Sequence, residues 1–365
     1  MTVYIVPIEP IDARYTKQWF EEIPNIIKDY FDLNNINEEV KQIEVENVGD
    51  KTTPGAFLDF CSTNIYKANQ VIEISKMFSN GTVKPNDKFL ITDAWNFVIT
   101  TIRYMSDLMN VPVEIHGIWH AGSYDPTDIL GEKMNKNWSL PQERSWYYAC
   151  DYNYYATEFH KNMFLKNLKI YDDSKAIVSG QPHNNIMNYC ENFHKQRIGN
   201  LIKTKVKENI MVFTHRLNFD KQPDIFRDLV TYLPNDWKYI LTQEHNLKKH
   251  AYYDLLSKSK IAFSCSLHEN LGIGQMESVL CGNIPLVPNR ASYTEIYKSE
   301  FIYPSEWTEN WNSYQENRSK LLERIKYLMD NYKKYIPVIE EQKTIIKENY
   351  MTCSKMLNTM FRNSC

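Results

Sequence analysis

The sequence predicts an α/β protein built from two parallel-sheet domains, and three observations predict it. Short apolar strands alternate with helical patterns in a βαβα rhythm. The chain has 365 residues, enough for two domains with a core each. A polar, lysine-bearing stretch from Lys195 to Asn209 separates two runs of that rhythm, which places the junction between residues 185 and 208.

Composition narrows the class. Charged residues make up 24% and hydrophobic residues 43%, the balance of a globular protein and not of a disordered or fibrous one. The net charge of −3 leaves no basic excess to attract nucleic acid over the whole surface. No run of about 18 apolar residues predicts a membrane span. Met1 to Pro10 reads as a strand broken by proline and glutamate, with no basic region or cleavage site of a leader. The seven cysteines form no C-x-x-C pair, so reduced thiols in a cytoplasmic setting are expected, without disulfides or zinc.

In chain order, a strand from Val3 to Ile8 leads through a loop into a helix with apolar residues at Trp19, Phe20, Ile23, Ile26, Ile27 and Tyr30, which Thr16 is placed to cap. Loops beyond the carboxyl ends of parallel strands are where such sheets hold ligands, making Arg14, Tyr15 and Thr16 candidate binding residues. No G-x-G-x-x-G follows this strand, which disfavours a nicotinamide or flavin site. Strands near Lys41–Glu46, Phe89–Thr92 and Val113–Ile118 alternate with helices at Ser62–Phe78 and Trp95–Met109. The turn-rich segment His116 to Pro126 then offers His116, His120 and Tyr124, with Gly122 and Ser123 allowing close backbone approach to a ligand. A helix over Gln142–Tyr148, a strand over Tyr152–Ala156, a helix capped by Thr157 and a strand at Ala176 complete the first run.

The second run opens with a strand over Asn209–Thr214, followed by Arg216 and Lys221. Two fixed cations between a strand and a helix suit a diphosphate. A strand over Trp237–Thr242, a loop with Gln243 and His245, and a helix over Tyr252–Ser257 lead to the most informative stretch, Lys260 to Glu295. There Glu269 and Glu277 bracket Gly272 and Gly274, which mark a strand-to-helix turn. A helix starting near Ile273 aims its free N–H groups into that turn, as an anion requires. Glu269 lies before the helix and Glu277 about one turn inside it, so the two carboxylates can serve two parts of one ligand. Helical patterns at Ser313–Met329 and Ile339–Phe361 close the chain.

The run from Glu269 to Val287 resembles the E-x7-E signature of retaining glycosyltransferases of the GT-B fold, the glycosyltransferase family 4-like group. Both glutamates, Gly272, Gly282 and Pro285 stand in the signature positions, while Asn270, Gly274 and Ser278 depart from it. Arg216 and Lys221 match the G-R-L-x-x-x-K element of the same group, with Thr214 and His215 in place of its small residues. The resemblance implies two Rossmann-like domains with a cleft between them: an acceptor domain over 1–190, a donor domain over 191–340, and a C-terminal helix over 341–365 returning to the first domain. It implies a UDP-sugar or related nucleotide-sugar co-substrate, transfer with retention and no metal. Glu269, Arg216, Lys221 and His120 would be catalytic; Glu277, Asn270, Leu271, Gly272, Ile273, Gly274, Gln243 and His245 would bind the donor. Arg14, Tyr15, Thr16, His116 and Tyr124 would face the acceptor.

The segments Val6 to Thr16, V-P-I-E-P-I-D-x-R-Y-T, and Gly117 to Pro126, G-I-W-H-A-G-S-Y-D-P, also resemble those of tailed-phage glycosyltransferases, some of which modify hydroxymethylated pyrimidines in phage DNA. That resemblance implies duplex DNA as a partner, in the host cytoplasm. A glycan, lipid-linked sugar or small-molecule acceptor is the alternative, and a non-catalytic two-domain sugar-binding protein the alternative of another class.

Overall fold

The structure is a computed structural model that describes residues 1–11, 15–46, 59–183, 186–187, 189–190, 195–198, 201–204 and 206–362. The chain divides into two compact units, Met1–Pro182 with Cys353–Cys365, and His183–Thr352. The division thus falls at 182/183 and 352/353, against the sequence boundaries of 190/191 and 340/341.

In the first unit, strands β1 (Thr2–Val6), β2 (Glu39–Gln42), β3 (Lys88–Ile91), β4 (Glu114–Ile118), β5 (Tyr152–Tyr155) and β6 (Ala176–Val178) form one parallel sheet in the order β2-β1-β3-β4-β5-β6. Side chains alternate between its faces. Val3, Ile5, Leu90 and Ile118 enter one core with Trp19, Ile23, Ile27 and Phe31 of the helix Tyr15–Leu33. Tyr4, Val6, Phe89, Ile91 and Ile115 enter the other, beneath the helices Ser62–Ser79, Val98–Leu108 and Lys136–Ala149. The chain end joins the first core: Met356, Leu357 and Met360 of the helix Ser354–Met360, with Phe361, pack beside Phe31.

The second unit holds a hairpin and a parallel sheet. The hairpin pairs β7 (Lys195–Ile198) with β8 (Leu201–Thr204), so the stretch read as a linker carries regular structure. The sheet runs β10-β9-β11-β12-β13, from β9 (Ile210–Phe213), β10 (Lys238–Leu241), β11 (Ile261–Phe263), β12 (Ile284–Pro288) and β13 (Ile302–Tyr303). Strands β9, β11 and β12 are buried throughout, as sheets covered on both faces are.

Two helical expectations are corrected. One helix, Trp311–Ile345, runs through Pro337, ends in a π-helical turn at Ile346–Tyr350, and precedes the separate helix Ser354–Met360. Its buried stripe of Leu321, Ile325, Leu328, Tyr332, Ile339 and Gln342 carries it across the proline. Thr16 does not cap its helix: it lies inside the first turn, fully buried, and its Oγ1 accepts from the Ile11 N–H at 3.1 Å.

Candidate functional site

Strands β10, β9 and β11 are neighbours, so the loops leaving their carboxyl ends share one edge of the sheet. Gln243 and His245 are exposed in the turn Thr242–His245 after β10. Thr214 to Lys221 follow β9, and Ser264 to Gly272 follow β11. The sequence-distant Arg216, Lys221, Glu269 and Glu277 therefore belong to adjoining loops and the helix behind them.

Glycine sets how tightly these pieces meet. Gly272 precedes the helix Ile273–Leu280 with φ +75°, a left-handed conformation that suits glycine. A Cβ on Gly274 would stand 3.1 Å from Thr214 Oγ1 and 3.2 Å from Thr214 O, so its bare backbone lets the helix start press on the loop after β9.

Lys221 is the hub of the charges. Its Nζ lies 2.9 Å from Glu269 Oε1 and 3.0 Å from Asp220 Oδ2, and donates to Ser266 Oγ at 3.0 Å and to the His268 carbonyl at 2.5 Å. An ammonium has three N–H donors, so four acceptors saturate it. Burial alone would lower the Lys221 pKa, but Glu269 and Asp220 raise it. Burial likewise would raise Glu269, yet Lys221 and then His215 hold it well below the usual carboxylate range. Arg216, by contrast, is half-buried and makes no hydrogen bond or ion pair among the described residues.

His215 was legible only as a departure from the signature, and the structure gives it a role. Its Nδ1 lies 3.3 Å from Glu269 Oε1, and its Nε2 lies 2.7 Å from Ser264 Oγ, which is 2.9 Å from the Tyr293 hydroxyl. Burial lowers its pKa against the pull of Glu269. A neutral His215 then donates from Nδ1 to Glu269 and accepts from Ser264 at Nε2. Glu269 is thus fixed from two sides, by an ammonium and an imidazole.

Glu277 lies within the helix Ile273–Leu280, 9% exposed, and takes a hydroxyl on each oxygen: Tyr253 on Oε1 at 2.6 Å and Tyr252 on Oε2 at 2.9 Å. Burial raises its pKa and the two tyrosines oppose that rise. Neither tyrosine carries a motif signal. Asn270 and Leu271 sit in the loop before the helix, half-buried and buried respectively.

The first unit treats its candidates differently. Arg14 lies outside the described residues. The Tyr15 hydroxyl lies 3.2 Å from His120 Nδ1, and its ring packs against Trp19. His120 Nε2 donates to the Thr92 carbonyl at 2.8 Å, leaving Nδ1 to accept from Tyr15 and from Gln181 at 3.2 Å. Thr16, His116 and Tyr124, the other acceptor candidates, are all buried with protein partners. His116 lies inside β4, with Nδ1 2.9 Å from the Tyr154 hydroxyl and Nε2 3.0 Å from Glu114 Oε1. The Tyr124 hydroxyl lies 2.6 Å from His160 Nε2, its ring against Trp119 and Phe164.

Among the described residues no group of three or more His, Cys, Asp or Glu side chains is placed to hold a metal, and no helix is long and apolar enough to cross a membrane.

The architecture is that of the GT-B glycosyltransferases. The chain superposes on Anabaena HepE in complex with UDP-glucose with a TM-score of 0.56 at 10% identity, covering 99% of this chain and 98% of that one. Sucrose-phosphate synthase of Thermosynechococcus elongatus gives 0.61 at 10% identity, with 99% and 98% covered. The lipopolysaccharide outer core galactosyltransferase WaaB gives 0.56 at 11%, with 100% and 99% covered. No protein-family model matches the chain. In sequence, it is 25% identical over 119 residues to tRNA-queuosine alpha-mannosyltransferase of Drosophila melanogaster, an alignment covering 26% of this chain and 32% of the relative. The match thus spans about a third of that relative's length.

Proposed function

We propose that the protein is a retaining, metal-independent glycosyltransferase that moves a sugar from a nucleoside-diphosphate sugar, in the first instance a UDP-sugar, to a hydroxyl on a hydroxymethylated or already glycosylated pyrimidine of duplex DNA. The observation that supports the transferase reading is the ion pair of Lys221 with Glu269, on the loop that also carries Arg216 and beside a glycine-led helix start, in a GT-B fold. Arg216, with no hydrogen bond or ion pair among the described residues, is the ready ligand for the diphosphate. Lys221 reaches it by exchanging one of its four acceptors. The helix start at Gly272–Gly274 adds backbone N–H groups, Gln243 and His245 flank the base, and Glu277 takes the ribose. Glu269, held ionised and aimed, grips sugar hydroxyls beside the anomeric carbon. The leaving phosphate then takes the acceptor's proton as the sugar passes on the same face, so retention needs no separate base. In the first unit, His120 is proposed as a catalytic group and Tyr15 as an acceptor-binding one.

A nucleic-acid acceptor draws support from the phage resemblance and from the relative whose name is tRNA-queuosine alpha-mannosyltransferase. The likeness to a lipopolysaccharide galactosyltransferase favours the second reading, a glycan acceptor.

Hydroxymethylcytosine-containing duplex DNA, unmodified duplex and a tRNA pool are incubated with a panel of UDP-sugars, with and without EDTA, and the nucleosides weighed. A sugar mass increment on hydroxymethylcytosine, unaffected by EDTA and α-configured by proton NMR from an α-linked donor, is the expected result. UDP stabilising the fold with no increment on any nucleic acid moves the acceptor to glycans. Stabilisation by a free monosaccharide but not by UDP removes the transferase reading.

A further inference from the structure

Glu277 is gripped by two residues adjacent in sequence. Neighbouring side chains on a helix diverge by about 100°, so Tyr252 and Tyr253 of the helix Lys249–Lys258 approach the carboxylate from two directions. The clamp is itself supported. Tyr252 packs edge-on against Tyr253, with ring centroids 5.4 Å apart at 65°, and Tyr189 stacks on Tyr253 at 5.7 Å and 15°. Tyr253 is buried and Tyr252 half-buried. An ionised carboxylate offers about four lone-pair sites, two on each oxygen. One on each is filled by a tyrosine, which leaves one on each for a ligand.

We infer that Tyr252 and Tyr253 are positioning residues that hold Glu277 so that its two remaining lone pairs accept the vicinal 2′- and 3′-hydroxyls of the donor's ribose. This rests on the nucleotide-sugar reading above. Two adjacent acceptors at a fixed separation match two adjacent donors, and a carboxylate free to rotate loses that match. The tyrosine bonds also favour the ionised form over the protonated form that burial promotes.

The test compares UDP with 2′-deoxy-UDP by calorimetric titration on the wild-type chain, Tyr252→Phe, Tyr253→Phe and Glu277→Gln. The two ligands share base and diphosphate, so their ratio of dissociation constants isolates the ribose contact. The wild type is expected to prefer UDP by about tenfold or more, the value of one hydrogen bond to a charged group. Each phenylalanine variant should bring the ratio towards one, and Glu277→Gln should abolish it. General loosening of the site would weaken both ligands equally and leave the ratio unchanged; that result in both phenylalanine variants overturns the assignment. If Tyr253→Phe does not fold, Tyr252→Phe, at the half-buried ring, decides alone. UDP bound by the wild type with a ratio near one removes the clamp but keeps the donor reading. Binding of neither nucleotide removes both.

Discussion

Each sheet carries a histidine just beyond the carboxyl end of a strand, and the two are wired differently. In the first unit, His120 gives its Nε2 proton to the Thr92 carbonyl and receives the Tyr15 hydroxyl and the Gln181 amide on Nδ1. In the second, His215 faces the carboxylate of Glu269, which in turn faces the Lys221 ammonium. Position at a strand's end therefore does not by itself make a charged site. Convergence does: the second unit brings the Lys221 ammonium and the Glu269 carboxylate together from adjoining loops, where Gly272 and Gly274 let a helix start approach the loop after β9.

Breaking the hub should have the largest effect. Lys221→Met leaves Glu269, its side chain only 15% exposed, without its ammonium, so a stability loss of roughly 3 kcal/mol is expected, together with a loss of transfer. Denaturant titration and transfer assays read the two effects. An unchanged midpoint would show that the Lys221–Glu269 pair is incidental. The same pair predicts a pH dependence. The folded-state pKa of Glu269 is depressed, so its stabilising contribution is present above the ordinary carboxylate pKa of 4.5 and lost as pH falls below it. Lys221→Met should flatten that acid limb.

Arg216→Ala sharpens the contrast, because Arg216 has no partner among the described residues. Transfer should fall by about 100-fold or more, with the melting temperature unmoved. A matching drop in melting temperature would make Arg216 a structural cation like Lys221. Gly274→Ala is expected to cost about 1–3 kcal/mol by driving a methyl into Thr214 and to weaken UDP binding alongside. Ordinary stability with ordinary UDP affinity would mean that the close approach is dispensable.

The smallest effect belongs to the first unit. Glu114 is held at about 2: burial opposes ionisation, but His116 and Lys88 outweigh it. Because that pKa is depressed from 4.5, its contribution is complete above pH 4.5 and disappears as pH falls towards 2. Glu114→Gln should remove this shallow acid limb and leave UDP binding unchanged. Lost UDP binding would show that Glu114 does more than stabilise its own sheet.

Much of the fold was readable because its signals are local. The strands announce themselves as short apolar runs between turn residues, and the strand-to-helix turn through Gly272. What escaped was decided by partners far away in sequence. Tyr252 and Tyr253 meet Glu277 only once β11 and its loop are folded, and His215 acquires meaning only beside Glu269. His116 looked like a loop ligand, but it lies within β4, and a sheet covered on both faces buries either parity of side chain. The stretch after Lys195 read as linker because its charges mask the alternation. The Gly199-Asn200 pair between Ile198 and Leu201 was the hairpin signal available.

The packing of Met356, Leu357, Met360 and Phe361 beside Trp19 and Phe31 has a consequence for biosynthesis. The second unit is in effect an insertion within the first, so it is fully synthesised before the last pieces of the first unit's core emerge from the ribosome. His183–Thr352 can collapse around its own sheet during translation, whereas the helix Tyr15–Leu33 waits with part of its apolar stripe uncovered. A nascent chain arrested before Cys353 should consequently be protease-resistant in its later half and vulnerable in its earlier one, the reverse of the usual order of vectorial folding.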